Sequence, residues 1–424
     1  MKYKEIIQKM SLEEKAELCV GADYWSSKSF EKYEIPLPTD YESFVSACQA
    51  FDEVQKTKAD NLGINESEVS TCFPASSTLG NSWNKEMAYQ LGKALGEEAR
   101  QEEVNIVLGP AINIKRSPLC GRNFEYFSED PYLTGILGAE YVKGLQDQNV
   151  GACVKHFAVN NQENRRRTID VIVDERALRE IYLKAFEIII KDAKPWSIMS
   201  AYNKVNGQYC SENTHLLEDI LRKEWEYQGI VISDWGAEND RVKGIENGHE
   251  LEMPGGRGNG KEEIIEAVKT GKVPESKLDS IVDRIISIAK QGEHIQECIK
   301  YDAEEHHKIA QTIAEESIVL LKNEENILPI RNKKIALIGD MAKYPRYQGA
   351  GSSTINPYKI ENAYNSFKEN NIVFDYAKGY ERIESENDEV LRKEAIEIAK
   401  KTFLFPRKSI GFLAGLILPY TFGL

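Results

Sequence analysis

A short apolar run, Gly229-Ile230-Val231-Ile232, breaks off at Ser233-Asp234-Trp235-Gly236. The run reads as a buried strand, and the C-terminal end of such a strand is where barrel enzymes keep their chemistry. An Asp there is costly to desolvate unless something pairs or uses it. Trp235 offers a flat apolar face, and Gly236 lets the backbone turn sharply. That combination suits a nucleophile facing a sugar ring. Displacement at an anomeric carbon passes through an oxocarbenium-like state, which a carboxylate can attack and hold as an ester. A neutral, polyhydroxylated ring further needs several polar partners and an apolar wall, with no metal and no cofactor. Candidates end other apolar segments: Lys155 and His156, Tyr202 and Asn203, and Glu252.

Each of these residues has a plainer reading. Asp234 could cap a helix, Lys155 and His156 could face solvent, and Trp235 could be core. Arg165, Arg166 and Arg167 form a basic triplet that could be a solvated face. The functional reading gains weight only if these distant residues converge.

Convergence requires elements that bring them together. Apolar segments recur at VNIVLGPAINI from Val104, GACVKHF from Gly151, WSIMSAYN from Trp196, GIVISDW from Gly229 and HELEMP from His249. Each is apolar along its length rather than alternating, as a buried parallel strand is. Helical text lies between them. Asp174 predicts an N-cap for a helix through Ala193, with Leu178, Ile181, Tyr182, Ala185, Ile188 and Ile189 on one stripe. Asn213 predicts another cap, with Leu216, Leu217, Ile220 and Leu221 inward and Gly229 just past the end. Strand and helix in alternation argue α/β, most simply a (β/α)8 TIM-type barrel whose strand ends share one mouth; a doubly wound open sheet fits the pattern too.

The chain has 424 residues, long enough for two domains. We expect a barrel over residues 1–295, a charged helical linker over 296–315, and an incomplete α/β sandwich domain over 316–424 that opens with the strand-like SIVLLKN and KIALIGD. The net charge of −14 argues against nucleic acid or an anionic membrane as partner and leaves a neutral sugar open. Seven scattered Cys without a CxxC predict free thiols in a reducing compartment. The charged N-terminus lacks the apolar core of a secretory leader, so a cytoplasmic setting is expected. Six His show no metal-ligand spacing, and the pair His306-His307 reads as a solvated helix face. The Gly-rich QGAGSS at Gln348 matches no full phosphate-binding pattern, which counts against a nucleotide-binding protein. Residues 37–53 have no clear period, and the text after Lys408 is uncharged; both read as altered reading-frame text.

Four long motifs then carry a resemblance: GRNFEYFSEDPYL from Gly121, KHFAVNNQENRRRTIDVIVDERALREIYL from Lys155, IMSAYNKVNG from Ile198, and GIVISDWGA. They resemble glycoside hydrolase family 3 on its β-glucosidase side, over most of residues 1–400 and densely between 70 and 255. The glucosaminidase branch carries a His-Asp pair after KHF, where this chain reads AVNNQENRRR. The resemblance implies a retaining exo-glycosidase acting on a small β-glucoside or short oligosaccharide. It implies Asp234 as nucleophile and Arg122, Lys155, His156 and Arg166 on the sugar hydroxyls. It also implies Tyr202 beside the nucleophile and Trp235 lining the pocket. A further Asp of the family lies in a TDGP-type loop; here the loop reads PTDYESF, with Asp40 as nearest match and no Gly-Pro.

Retaining hydrolysis uses two carboxyl groups about 5 to 5.5 Å apart. The resemblance places the second, an acid/base Glu, within the second domain, in a segment beyond the present sequence. It gives that role to none of Glu125, Glu129 and Glu252. Impaired turnover is therefore expected. The alternatives are a β-xylosidase or arabinosidase of the same family and a non-catalytic sugar-binding remnant.

Overall fold

The computed structural model describes residues 1–33, 48–49, 53–54, 69–102, 104–255, 258–292, 300–326, 328–330, 334–347, 355–382 and 387–402. Asp40, the Gly-rich loop at Gln348 and the text after Lys408 lie outside them, as does 37–53 apart from Cys48, Gln49 and Glu53.

Four parallel strands form the wall that matters for chemistry: β1 (Ile106–Val107), β2 (Gly151–Phe157), β3 (Ser197–Ser200) and β4 (Ile230–Ser233). They lie side by side in sequence order, with Val107 opposite Ala152, Val154 opposite Ile198, and Val231 opposite Ile198. Parallel bridges continue the wall from Ile232 to Leu251 and from Glu252 to Val20. Sequential parallel strands with helical connections make this the TIM-type barrel of an α/β protein. HELEMP joins the wall at those bridges, and Ser233 Oγ further donates to the Met253 carbonyl at 3.0 Å and accepts from Met253 N at 2.8 Å.

The pleat sorts the strand residues into two apolar clusters. Val154, Ile198 and Val231 face the cluster that holds the helices Lys85–Gln101, Pro131–Gln146, Lys184–Ala193 and His215–Glu224. Cys153, Met199, Ile230 and Ile232 face the other, with helix Glu275–Gln291. Two glycines set one helix pair: Gly92 lies against the Tyr141 carbonyl and Gly144 against the Tyr89 carbonyl, so a Cβ at either would force the backbones apart.

Local sequence explains most helix starts. Asp174 accepts from Ala177 N at 3.0 Å, and Asn213 accepts from Leu216 N at 3.0 Å. Leu216, Leu217, Ile220 and Leu221 are buried as expected. Two expectations are corrected. Ile181 is 41% exposed because Leu178–Tyr182 winds as a π-helix, and the wider turn moves the inward stripe to Leu178, Tyr182 and Leu183. Gly229 caps no helix, since His215–Glu224 ends at Trp225. Instead Gly229 opens β4, where a Cβ would collide with Tyr227 and the Trp196 carbonyl.

The described residues up to Ser317, together with 355–358, form one compact unit. Helix Ala303–Glu316, within the expected linker, belongs to it. Asp302 caps that helix, and His306, Ala310 and Ile313 form a buried stripe at helical spacing. His306 is 2% exposed rather than solvated, held by Glu97 and Glu98.

The second unit comprises described residues from Ile318 to Tyr347 and from Lys359 onward. Its parallel strands β5 (Ile335–Ile338) and β6 (Phe374–Ala377) carry helix Asp388–Thr402, which buries Ala395. KIALIGD is thus a strand, whereas SIVLLKN is not: no ladder pairs it among the described residues, and a strand without a ladder has no backbone partners.

Candidate active site

Asp234 follows β4 directly, and its backbone is fixed from two sides. Its N–H donates to the Ser200 carbonyl at 3.2 Å, and its own carbonyl accepts from Ala237 N at 2.8 Å. Oδ1 accepts from Trp235 N at 2.7 Å. Oδ2 is buried without a hydrogen-bond partner, and His156 Nε2 lies 3.6 Å away. One carboxylate oxygen is thus anchored and the other is free to react.

Lys155 and His156 come from the end of β2, where the register shifts between Lys155 and Phe157. Both are buried. Burial, together with the positive charges of Arg122, Lys155 and Arg166, pushes the His156 imidazole well below its ordinary range, so it is neutral at neutral pH. Lys155 Nζ lies 3.9 Å from Glu125 Oε2, and Arg122 Nε forms an ion pair with Glu125 Oε1. The buried Glu125 therefore spaces two cations near Asp234 and partly offsets their charge.

Arg166 stacks over the Tyr202 ring at 4.5 Å and pairs with Glu163 at 2.8 Å. Arg165 and Arg167 are more exposed, yet Arg167 also lies over the Tyr202 ring, at 5.2 Å, so two residues of the basic triplet reach this ring. Tyr202 Oη donates to the Trp235 carbonyl at 2.8 Å. Burial and the adjacent Asp234 charge push its phenol up, which keeps it a neutral donor. Trp235 packs on Trp25 with ring centroids 5.4 Å apart, and its indole N–H donates to the Tyr24 carbonyl at 2.9 Å.

Arg122, Lys155, His156, Arg166, Tyr202, Asp234 and Trp235 are therefore linked by short contacts or direct charge effects. Two other strand-end residues are engaged elsewhere. Asn203 Nδ2 donates to the Ala158 carbonyl at 3.2 Å, and Glu252 Oε2 lies 3.9 Å from Arg241. Sequence reasoning missed Glu125, Trp25 and Asn113, the last of which bonds to His156. An acid three residues after Arg122 and a polar residue inside VNIVLGPAINI were the available signals. Among the described residues no group of three His, Cys, Asp or Glu side chains could hold a metal ion. One carboxylate oxygen without a hydrogen-bond partner, a neutral imidazole, flanking cations and a half-buried indole suit an uncharged polyhydroxylated ligand.

Comparison with known proteins agrees. Residues 59–288 match the model of the glycosyl hydrolase family 3 N-terminal domain, and residues 318–401 that of its C-terminal domain. The chain is 49% identical over 407 residues to thermostable β-glucosidase B of Acetivibrio thermocellus, covering 94% of this chain and 53% of that protein. It is 40% identical over 408 residues to an exo-α-(1→6)-L-arabinopyranosidase of Bifidobacterium breve, covering 93% and 53%. Among solved structures, a β-glucosidase of Bifidobacterium adolescentis superposes with a TM-score of 0.84 at 39% identity, over 93% of this chain and 56% of that one. The β-glucosidase 3B of Thermotoga neapolitana in complex with glucose gives 0.81 at 39% identity, over 95% and 57%. The chain spans about half the length of the curated relatives it matches. From the matched models and this identity over nearly its whole length, the chain belongs to glycosyl hydrolase family 3.

Proposed function

We propose that the chain carries the nucleophile and sugar-binding half of a retaining exo-glycosidase that releases a terminal β-D-glucose. The observation that carries the reading is the free Oδ2 of Asp234 beside a neutral His156. Oδ2 attacks the anomeric carbon, the bond to the leaving oxygen breaks, and a covalent glycosyl ester forms; water then releases the sugar. Lys155, Arg122, Arg166 and His156 hold hydroxyls whose bonds strengthen in the transition state. Trp235 supplies the apolar wall. The glucose complex of the Thermotoga neapolitana relative supports a small sugar as ligand.

No described residue is assigned the acid/base role. Glycosylation by aryl glucosides, whose leaving groups need little protonation, is therefore expected to outpace that by cellobiose in the 424-residue polypeptide. A cytoplasmic setting belongs to the same proposal, supported by the buried free thiols of Cys19, Cys120, Cys153 and Cys210.

Mass spectrometry after reaction with a 2-deoxy-2-fluoroglucoside tests the reading. A covalent adduct on the peptide that contains Asp234 is expected. Sugar binding without an adduct would leave a non-catalytic binding module. The arabinopyranosidase relatives favour a second reading, an arabinosidase. Competition between aryl β-glucoside and aryl α-L-arabinopyranoside for the same labelling decides between the two.

A further inference from the structure

Asn113 makes three contacts with His156 that leave its orientation no freedom. Its amide nitrogen donates to the His156 carbonyl at 2.9 Å. Its oxygen accepts from the His156 backbone N–H at 3.0 Å. A carbonyl only accepts and a backbone N–H only donates, so the amide oxygen and nitrogen cannot be interchanged. That same oxygen lies 3.2 Å from His156 Nδ1. Both residues are buried, at 3% and 1% exposure, so water does not substitute for either partner.

A neutral imidazole carries one N–H, and contact with an acceptor-only oxygen requires it on Nδ1. Nε2 is then a bare lone pair. It faces the free Oδ2 of Asp234 at 3.6 Å. Two acceptors facing one another repel, and a hydroxyl hydrogen placed between them relieves the repulsion. The charged groups that bear on the ring are Arg122 and Arg166 from neighbouring loops, Lys155 from its own strand, and Asp234 from β4. The three cations all oppose a second proton on it.

We propose that Asn113 is a positioning residue that fixes His156 as a hydrogen-bond acceptor beside the nucleophile, so that the pair selects a ligand hydroxyl as donor. The catalytic consequence rests on the glycosidase reading; the tautomer does not. Asn113 keeps the imidazole from becoming a donor that would tie up the reacting oxygen. A carboxylate in its place would favour the imidazolium, whose Nε2–H would bond to Asp234 Oδ2.

Two measurements test this. In the intact chain with 15N-labelled histidine, His156 is assigned by its loss in His156→Gln. Pyrrole-type Nδ1 and pyridine-type Nε2 signals are expected; the reverse pattern, or two protonated nitrogens at neutral pH, overturns the proposal. In Asn113→Asp, kcat/KM for an aryl glucoside should fall at least about tenfold at neutral pH and recover as pH rises. The unaltered chain should lack that rise. An even loss at every pH, or no loss, overturns the positioning role. If the variant fails to fold, the spectrum of the unaltered chain decides. If the chain neither labels nor turns over but shows the expected tautomer, the glycosidase reading fails and the assignment of the proton stands.

Discussion

Strand β4 and the stretch Ile318–Leu321 are written in nearly the same residues and meet opposite fates. Ile230, Val231 and Ile232 are fully buried. Ile318, Val319, Leu320 and Leu321 are 61%, 58%, 59% and 91% exposed. β4 has a ladder with β3 on one side, a bridge to Leu251 on the other, and apolar clusters on both faces. The second stretch has no ladder among the described residues. An apolar run therefore states a preference for burial, and residues far away in sequence decide whether it is met. The same contrast separates the two units. In the first, burial holds one carboxylate in place. In the second, β5 and β6 are only partly buried, and Ile338, Val373, Val390 and Ile396 remain exposed.

The largest effect expected lies where burial is used for chemistry. On the proposed mechanism, in which Asp234 forms the ester, Asp234→Ala should lower kcat/KM for an aryl glucoside by about a thousandfold or more. The fold should survive, because the hydrogen bond of Oδ1 is local, to Trp235 N at 2.7 Å. An active variant would remove Asp234 from the mechanism. Next comes the packing that frames the site. Leu217 is fully buried against the outer helices. Leu217→Ala should cost about 2–5 kcal/mol in a denaturant titration, with little change in KM among folded molecules. A cost near zero would mean that this half of the comparison is less well packed than its burial implies.

The clamp at His306 contributes a pH-dependent share of the first unit's stability. Burial alone would push its imidazole down, but hydrogen bonds to Glu98 at 2.8 Å and Glu97 at 2.9 Å outweigh it and raise it to about 9. A group raised on folding adds stability that is complete below its ordinary value near 6.5 and is lost as pH rises through about 9. The amount is on the order of 3 kcal/mol. His306→Gln should therefore be destabilised at pH 6 and nearly level with the unaltered chain at pH 10. Parallel stability curves across that range would show that folding leaves the ring's affinity for its proton unchanged.

Much of the barrel is legible in the sequence because its signals are local. Strands such as GACVKHF are continuous apolar runs, Asp174 and Asn213 are caps, and polar residues stand at the strand ends. The meeting of Lys155, His156, Tyr202 and Asp234 follows once those ends share one mouth. What escapes is set by geometry that composition does not carry. The π-helical turn at Leu178–Tyr182 rephases a stripe that a regular helix would place on Ile181. Glu125 is given no role by the motifs, and its part in the site emerges only when Arg122 and Lys155 are seen around it. His306 reads as part of a solvated helix face because its partners lie some two hundred residues away, on another helix.

The smallest effect expected tests the other side of the comparison. Leu321 is 91% exposed, so trimming it removes almost no buried area. Leu321→Ala should change the free energy of unfolding by no more than about 0.5 kcal/mol, an order of magnitude below the upper end for Leu217→Ala. Leu321→Ser should be as mild and should raise solubility, because an exposed apolar stretch favours self-association. A loss of 2 kcal/mol or more in either variant would require Leu321 to be covered in solution. The two apolar runs would then differ in how late they find a partner, and the local sequence would have stated its preference correctly in both places.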